Sequence, residues 1–232
     1  MSSFMGDYAL NDRIFLGPDL RLLDKWGCLN QYKIHNDYQV WRLFTSLFLS
    51  TGFQTWGTNS VILLILGFMV ENKKVSVIRM AIIYFSIGIL TNFFTTMCEK
   101  PLSCGINGVL SGLAFALLAM VAINWKPLGS VANGMFRFFF IFTPIIFFIF
   151  VLMTSLTADA DSEGYFKQQS VVAVGGGIIQ GMCMGMMLMP FGPDRPSPAV
   201  GTIRKAGALI LLVELIVIIP VFIWAIEPRK YY

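Results

Sequence analysis

The chain has 232 residues, of which 56% are hydrophobic and only 13% charged. A soluble domain carries about 25% charged residues, so the composition excludes an ordinary soluble protein and implies an all-α integral membrane protein with one transmembrane unit. The net charge of +4 comes from residues in loops and near the ends, not from a basic patch, and nucleic acid is not an expected partner. The four cysteines form no CxxC pair and His35 is the single histidine. No metal site or cofactor is therefore expected, and membrane lipid is the expected bound molecule.

Residues 1–42 hold no apolar run near the ~20 residues that a spanning helix needs. They also lack the basic-then-apolar order of a signal peptide. Gly17-Pro18-Asp19 marks a helix start. Leu20, Leu23 and Trp26 then fall on one face of a short amphipathic segment expected at the membrane interface. Trp41 and Arg42 suit the depth where the membrane begins. Six hydrophobic segments follow, at about 43–70, 79–98, 105–124, 136–156, 170–190 and 206–226, before a short tail at 227–232.

The first segment is interrupted by Thr51-Gly52 and by Thr55 to Asn59, whose polar groups should face protein. The third opens on Cys104-Gly105-Ile106-Asn107-Gly108, continuing to Gly112. The fourth is Phe-rich, and Phe138 to Phe140 are expected to face lipid. The fifth carries Gly177, Gly181 and Gly185, the spacing of a close helix–helix contact. Its methionines, Met182 to Met189, are expected to pack adaptably. The sixth holds Glu214 in mid-membrane, where an ionised carboxylate costs roughly 2.5–3.5 kcal/mol.

Loops after the first, third and fifth segments hold Lys73, Lys74, Arg79, Lys126, Arg137, Arg195, Arg204 and Lys205, against Lys100 and Lys167 in the opposite loops. Positive charge stays inside. Both termini are therefore expected on the non-cytoplasmic, or non-matrix, side.

Several features in order resemble the rhomboid family of intramembrane serine proteases. Tyr38 to Thr45 is similar to that family's Trp-Arg region, Asn59 to its oxyanion-side asparagine, and Gly67 to Glu71 to a glycine-containing helix end. Pro101 to Gly112, followed by Asn124-Trp125, resembles the serine helix and its exit. Gly177, Gly181, Gly185 and Pro190 resemble the histidine helix. The resemblance covers about residues 17–225 and implies a rhomboid-like helical bundle, with packing at Gly105, Gly108, Gly112, Gly177, Gly181 and Gly185.

The departures bear on activity. Where the resemblance implies the serine of Gly-x-Ser-Gly, the chain has Asn107. Where it implies the histidine, three residues before Gly177, it has Val174, and where it implies an oxyanion-side histidine it has Thr55, with Asn59 retained. An amide is no nucleophile and valine no general base, so a pseudoprotease is expected. The remote substitute is Ser111 with His35, although a serine in a membrane helix ordinarily bonds the helix backbone. The family's usual first spanning helix also has no counterpart before Trp41. That resemblance implies an open flank, expected to be covered by other transmembrane subunits or lipid.

Asn107, Asn59 and Asn92 are expected to bond neighbouring helices. Glu214 is a candidate partner contact, with a bond inside the bundle or a protonated carboxyl as the alternatives. Cys98 and Cys104 bracket one loop as a disulfide or as free thiols. The functional expectation is a structural subunit of a larger membrane assembly, with the mitochondrial inner membrane placed ahead of the endoplasmic reticulum. The alternatives are a free-standing binder of transmembrane clients in endoplasmic-reticulum quality control or trafficking and, remotely, an active protease.

Overall fold

Small and apolar residues on every side of one segment, Gly108 to Val121, leave it no face suited to water or lipid headgroups, and a helix apolar all round belongs in the middle of a bundle. The computed structural model, which describes residues 20–70, 76–98, 102–123, 135–160, 166–167, 170–188 and 198–224, puts it there. In chain order, α1 (Leu20–Trp26), α2 (Gln31–Asn36) and a single turn α3 (Arg42–Thr45) lead into a 3-10 turn at Ser46–Phe48. Six long helices follow: α4 (Phe53–Val70), α5 (Val77–Cys98), α6 (Asn107–Ile123), α7 (Met135–Ala160), α8 (Val171–Leu188) and α9 (Pro198–Trp224). Two short strands, β1 (Leu102–Ser103) and β2 (Phe166–Lys167), pair in parallel. Helix α5, residues 138–156 of α7, and α8 are long and apolar enough to cross a membrane, and α4 and α6 are shorter apolar helices. The molecule is an all-α polytopic membrane protein.

The expected first segment, 43–70, is two elements. Leu49 is extended (φ −95°, ψ 140°), and α4 starts afresh where Trp56 N–H donates to the Gly52 carbonyl at 2.9 Å. The polar residues that interrupt the segment thus make the break and the new helix start. At the other end, α9 begins at Pro198, earlier than the expected 206.

The core is α6 against its neighbours. Leu110, Leu113, Ala114 and Leu117 are buried with Leu66 of α4, Ile83 and Ile87 of α5, Val151 of α7 and Val174 of α8. The closest approach is between α6 and α8. A Cβ at Gly177 would lie 2.0 Å from the Gly108 carbonyl oxygen, one at Gly181 the same distance from that of Gly112, and one at Gly185 2.8 Å from Ala116 Cα. The two backbones touch, which only small residues permit. Gly108 and Gly112 complete this stripe from the α6 side. Gly105 does not belong to it. It sits before α6 with φ +128°, a conformation that glycine alone adopts readily, and its role is to turn the chain into the helix.

Helix α9 lies at the edge, on α8. Gly207 and Leu211 face inward, while Leu209, Leu212, Val213, Ile216 and Val217 are exposed. In α7, Phe138 and Phe139 point outward as expected, whereas Phe140 packs on the core.

Leu23 is fully buried with Cys28 and Cys104, packed by Leu49 and Leu102, while Trp26 is exposed, so the two do not share a buried face. Cys28 and Cys104 form a disulfide. Cys98, which with Cys104 brackets the loop after α5, is exposed at the end of that helix. The disulfide follows from a strand-like contact. Leu29 and Ser103 exchange both main-chain hydrogen bonds, at 3.0 and 3.1 Å, and this register sets Cys104 beside Cys28.

Candidate functional site

Asn107 is the first residue of α6 and is 4% exposed. A buried amide needs partners for both its oxygen and its nitrogen. Asn59 of α4 donates from Nδ2 to Asn107 Oδ1 at 3.2 Å. Asn107 in turn donates from Nδ2 to Ser155 Oγ of α7 at 3.0 Å. Asn59 and Ser155 are also buried. Three helices are thus tied at one point by side-chain hydrogen bonds in an apolar setting. Ser155 escaped sequence reasoning. Its only signal was a Thr154-Ser155 pair ending a Phe-rich run. Thr55, one turn before Asn59, is half-buried, and the bonds described do not bring it to Asn107.

Val174 lies across from α6, 1% exposed and part of the main core. Its carbonyl accepts from Ser111 Oγ at 3.0 Å, and the same hydroxyl lies 2.9 Å from the Gly108 carbonyl oxygen. Ser111 is fully buried and turned to backbone. His35 bonds Asn36 in α2, with 3.1 Å between Nδ1 and Oδ1. The Ser111–His35 pairing is not formed.

Below Asn107 lies a polar cavity of about 10 Å³, room for roughly one water molecule. Ser46, Asn92, Thr95, Ser103, Asn107 and Ser170 line it. Asn92 reaches over from α5, donating from Nδ2 to the Leu43 carbonyl and to Ser46 Oγ, both at 2.8 Å. This fixes the α3 turn against the bundle. A wider groove of about 510 Å³ opens between α4 and α5, with Trp56, Asn59, Leu63, Met80 and Tyr84 along it.

Trp41 is exposed, but Arg42 is 2% exposed. Its Nε donates to Gln39 Oε1 at 2.7 Å, and its Nη1 to the Cys28 carbonyl at 2.8 Å and to Asp24 Oδ1 at 3.1 Å. Burial lowers the guanidinium below its ordinary value and the Asp24 carboxylate pushes it back up. An arginine stays charged through both. Asp24 also pairs with Lys33. Arg42 is therefore a hub joining α1, the loop after it and α3, with its guanidinium carbon 5.2 Å from the centre of the Trp41 ring.

Glu214 turns inward as well. Gln180 of α8, fully buried, donates from Nε2 to Glu214 Oε1. The second carboxyl oxygen is enclosed by the protein. The structure contains the bond within the bundle. Gln180 is a further residue that sequence reasoning passed over, a lone amide within a glycine-rich helix.

A glycine-framed helix starting at the polar site, a second helix pressed on it through glycine, and a polar cluster inside a helical membrane bundle define the architecture of an intramembrane-protease fold. A sequence model of the rhomboid domain matches residues 37–191, well over half the chain, and the chain belongs to the rhomboid family. It is 27% identical over 181 residues to "RHOMBOID-like protein 6, mitochondrial" of Arabidopsis thaliana, covering 78% of this chain and 54% of that protein. It is 25% identical over 193 residues to RHOMBOID-like protein 2 of the same plant, covering 82% and 56%. With "Inactive RHOMBOID-like protein 8" it shares 28% identity over 136 residues, covering 58% and 38%. The chain spans about half the length of the first two relatives.

Proposed function

We propose that this rhomboid-family chain is non-catalytic and serves as a structural or accessory subunit of a larger membrane assembly. The observation that carries the first half is the closed network at Asn107. In the place where the resemblance implies a nucleophile, an amide is bonded to Asn59 and Ser155. In the place implied for the base stands a buried Val174. Catalysis by a serine needs a hydroxyl within hydrogen-bond reach of a base. The serine one turn on, Ser111, is spent on backbone carbonyls. One relative bears the name inactive, which supports the same reading.

The broad apolar faces of α9 and α4 support a role through surfaces, with membrane lipid and other transmembrane subunits as the partners. One relative is named mitochondrial, which favours the inner mitochondrial membrane as the site of assembly. A second reading, a free-standing binder of transmembrane clients in the endoplasmic reticulum, draws on the groove between α4 and α5.

Two experiments test the proposal. A fluorophosphonate probe on the membrane-embedded protein should leave every serine unlabelled, and labelling of Ser111 would overturn the non-catalytic claim. Gentle solubilisation followed by native electrophoresis and mass spectrometry should give a stoichiometric high-mass complex. A monomer with varied, substoichiometric membrane partners would replace the subunit reading with the client-binder one.

A further inference from the structure

The segment before α4 is fastened to the site end of α6 by links that the Asn107 network does not use. Cys28 follows α1 and Cys104 follows β1, three residues before Asn107. They are 0% and 5% exposed. Their Cα atoms are 5.3 Å apart, within the span a disulfide bridges. The bond joins positions separated by 76 residues. Beside it run the Leu29–Ser103 main-chain pair and the Arg42 bond to the Cys28 carbonyl. Helices α1 and α2 have seven and six residues, too few to hold themselves up in isolation. The apolar clusters beneath them are small: Leu23 with Cys28 and Cys104 under α1, and Leu29, Ile34 and Leu43 against Phe93 under α2. The polar cavity lies beneath this cap, with Leu29, Ser103 and Cys104 among its walls.

We infer that the Cys28–Cys104 disulfide is a redox clasp on a face of the protein that lies in an oxidising compartment. Oxidised, it holds residues 20–41 closed over the polar cavity beside Asn107. Reduced, it lets that cap lift while the bundle of α4 to α9 stays together. The reducing partner is a dithiol. Both cysteines are buried, so attack follows a local opening of the cap: one thiolate of the dithiol attacks a cysteine sulfur, the protein S–S bond breaks, and a mixed disulfide forms. The second thiol resolves it, leaving two protein thiols and an oxidised reductant, two electrons having passed to the protein.

Two independent observations agree on the side. Disulfides persist where the compartment is oxidising. The distribution of Lys and Arg among the loops puts the residues before Trp41 and the loop holding Cys104 on one face, opposite the positive one. The charge pattern was legible without the bond, and the bond needs both cysteines on the same side.

The experiment uses the full chain in its own membrane. Thiols are blocked in place with N-ethylmaleimide, the protein is unfolded in detergent and reduced, and new thiols are tagged with a polyethylene-glycol maleimide. Tagging at Cys28 and Cys104 is the expected result, and no tagging at that pair overturns the bond. A Lys25→Cys variant in sealed vesicles or organelles should react with a membrane-impermeant maleimide from the non-cytoplasmic or non-matrix face. Reaction only from the opposite face overturns the sidedness. Hydrogen exchange in residues 20–41, with and without a dithiol, should speed up by roughly tenfold or more on reduction while α6 and α8 stay protected. Exchange that is unchanged by reduction overturns the clasp. A Cys28→Ser/Cys104→Ser double variant should match the reduced protein in this assay and lose its response to dithiol.

Discussion

Replacing Gly181 by alanine adds a single methyl group at the tightest point of the α6–α8 contact. The new Cβ would lie 2.0 Å from the Gly112 carbonyl oxygen and 2.6 Å from Gly112 Cα, whereas ordinary contact begins at 3.4 Å. The obstacle is backbone, which cannot turn aside as a flexible side chain can. The helices must separate by about 1.4 Å here, the difference between 3.4 and 2.0 Å. A gap of ~0.5–1 Å already forfeits a quarter to a half of each dispersion contact, and Gly177 and Gly185 lie on the same stripe. Overpacking of this kind costs ~1–3 kcal/mol, occasionally more. Alanine's better helix propensity returns ~1 kcal/mol, so with a backbone obstacle at the upper end of that range a net loss of up to about 2 kcal/mol is expected. Gly175 is the control. Nothing lies within 4 Å of the Cβ it would gain, so Gly175→Ala should keep the propensity gain and stabilise by up to ~1 kcal/mol. The two variants should move in opposite directions in reversible unfolding in mixed micelles, or in thermal unfolding in detergent. If Gly181→Ala and Gly175→Ala shift the midpoint alike, the backbone contact is not what holds these helices together.

Asn107→Ala should leave Asn59 and Ser155 each short of a buried partner and cost ~2 kcal/mol, measured in the same unfolding assay. A double-mutant cycle with Ser155→Ala should show coupling between the two sites, and strict additivity would disprove the network. Arg42→Ala should destabilise the cap by about 2 kcal/mol, because the Cys28 carbonyl and Gln39 lose a charged donor while Asp24 keeps Lys33. Arg42→Lys should fail to restore it, since one ammonium cannot reproduce the fork that reaches Gln39, Cys28 and Asp24. Protease sensitivity of the segment before α4 reports both. Gln180→Leu should destabilise α9 docking by leaving Glu214 without its donor inside the membrane, while Glu214→Gln should be close to neutral. Detergent stability of the two variants in the opposite order would show that Glu214 acts outside the bundle.

The helices themselves were largely legible. Long apolar stretches fix where membrane helices form, because nothing else satisfies a backbone in lipid. The Gly177-Gly181-Gly185 spacing announced a close contact, since i and i+4 share a helix face. The break before α4 was visible only as odd polar residues, and hydropathy averaged it into one segment. Gly105 was grouped with the packing glycines because spacing cannot tell a positive φ from a close approach. Arg42 shows the same limit. Arginine beside tryptophan at a membrane boundary fits the interface, and only a folded cap with Asp24, Gln39 and the Cys28 carbonyl converging makes it a buried hub.

By itself the sequence determined that this is an all-α membrane protein, where its helices run, and that Asn107 and Val174 stand at the centre of a rhomboid-like frame. Those are properties of local composition and of residue identity in a given order. Only the tertiary structure decided what these residues touch. It brought Ser155 from α7 and Asn59 from α4 to either side of Asn107, gave Glu214 to Gln180, and joined Cys104 to Cys28 across 76 residues instead of to Cys98 nearby. Hydrogen bonds and disulfides are satisfied by whichever groups the packing brings within reach, and distance along the chain carries no information about that.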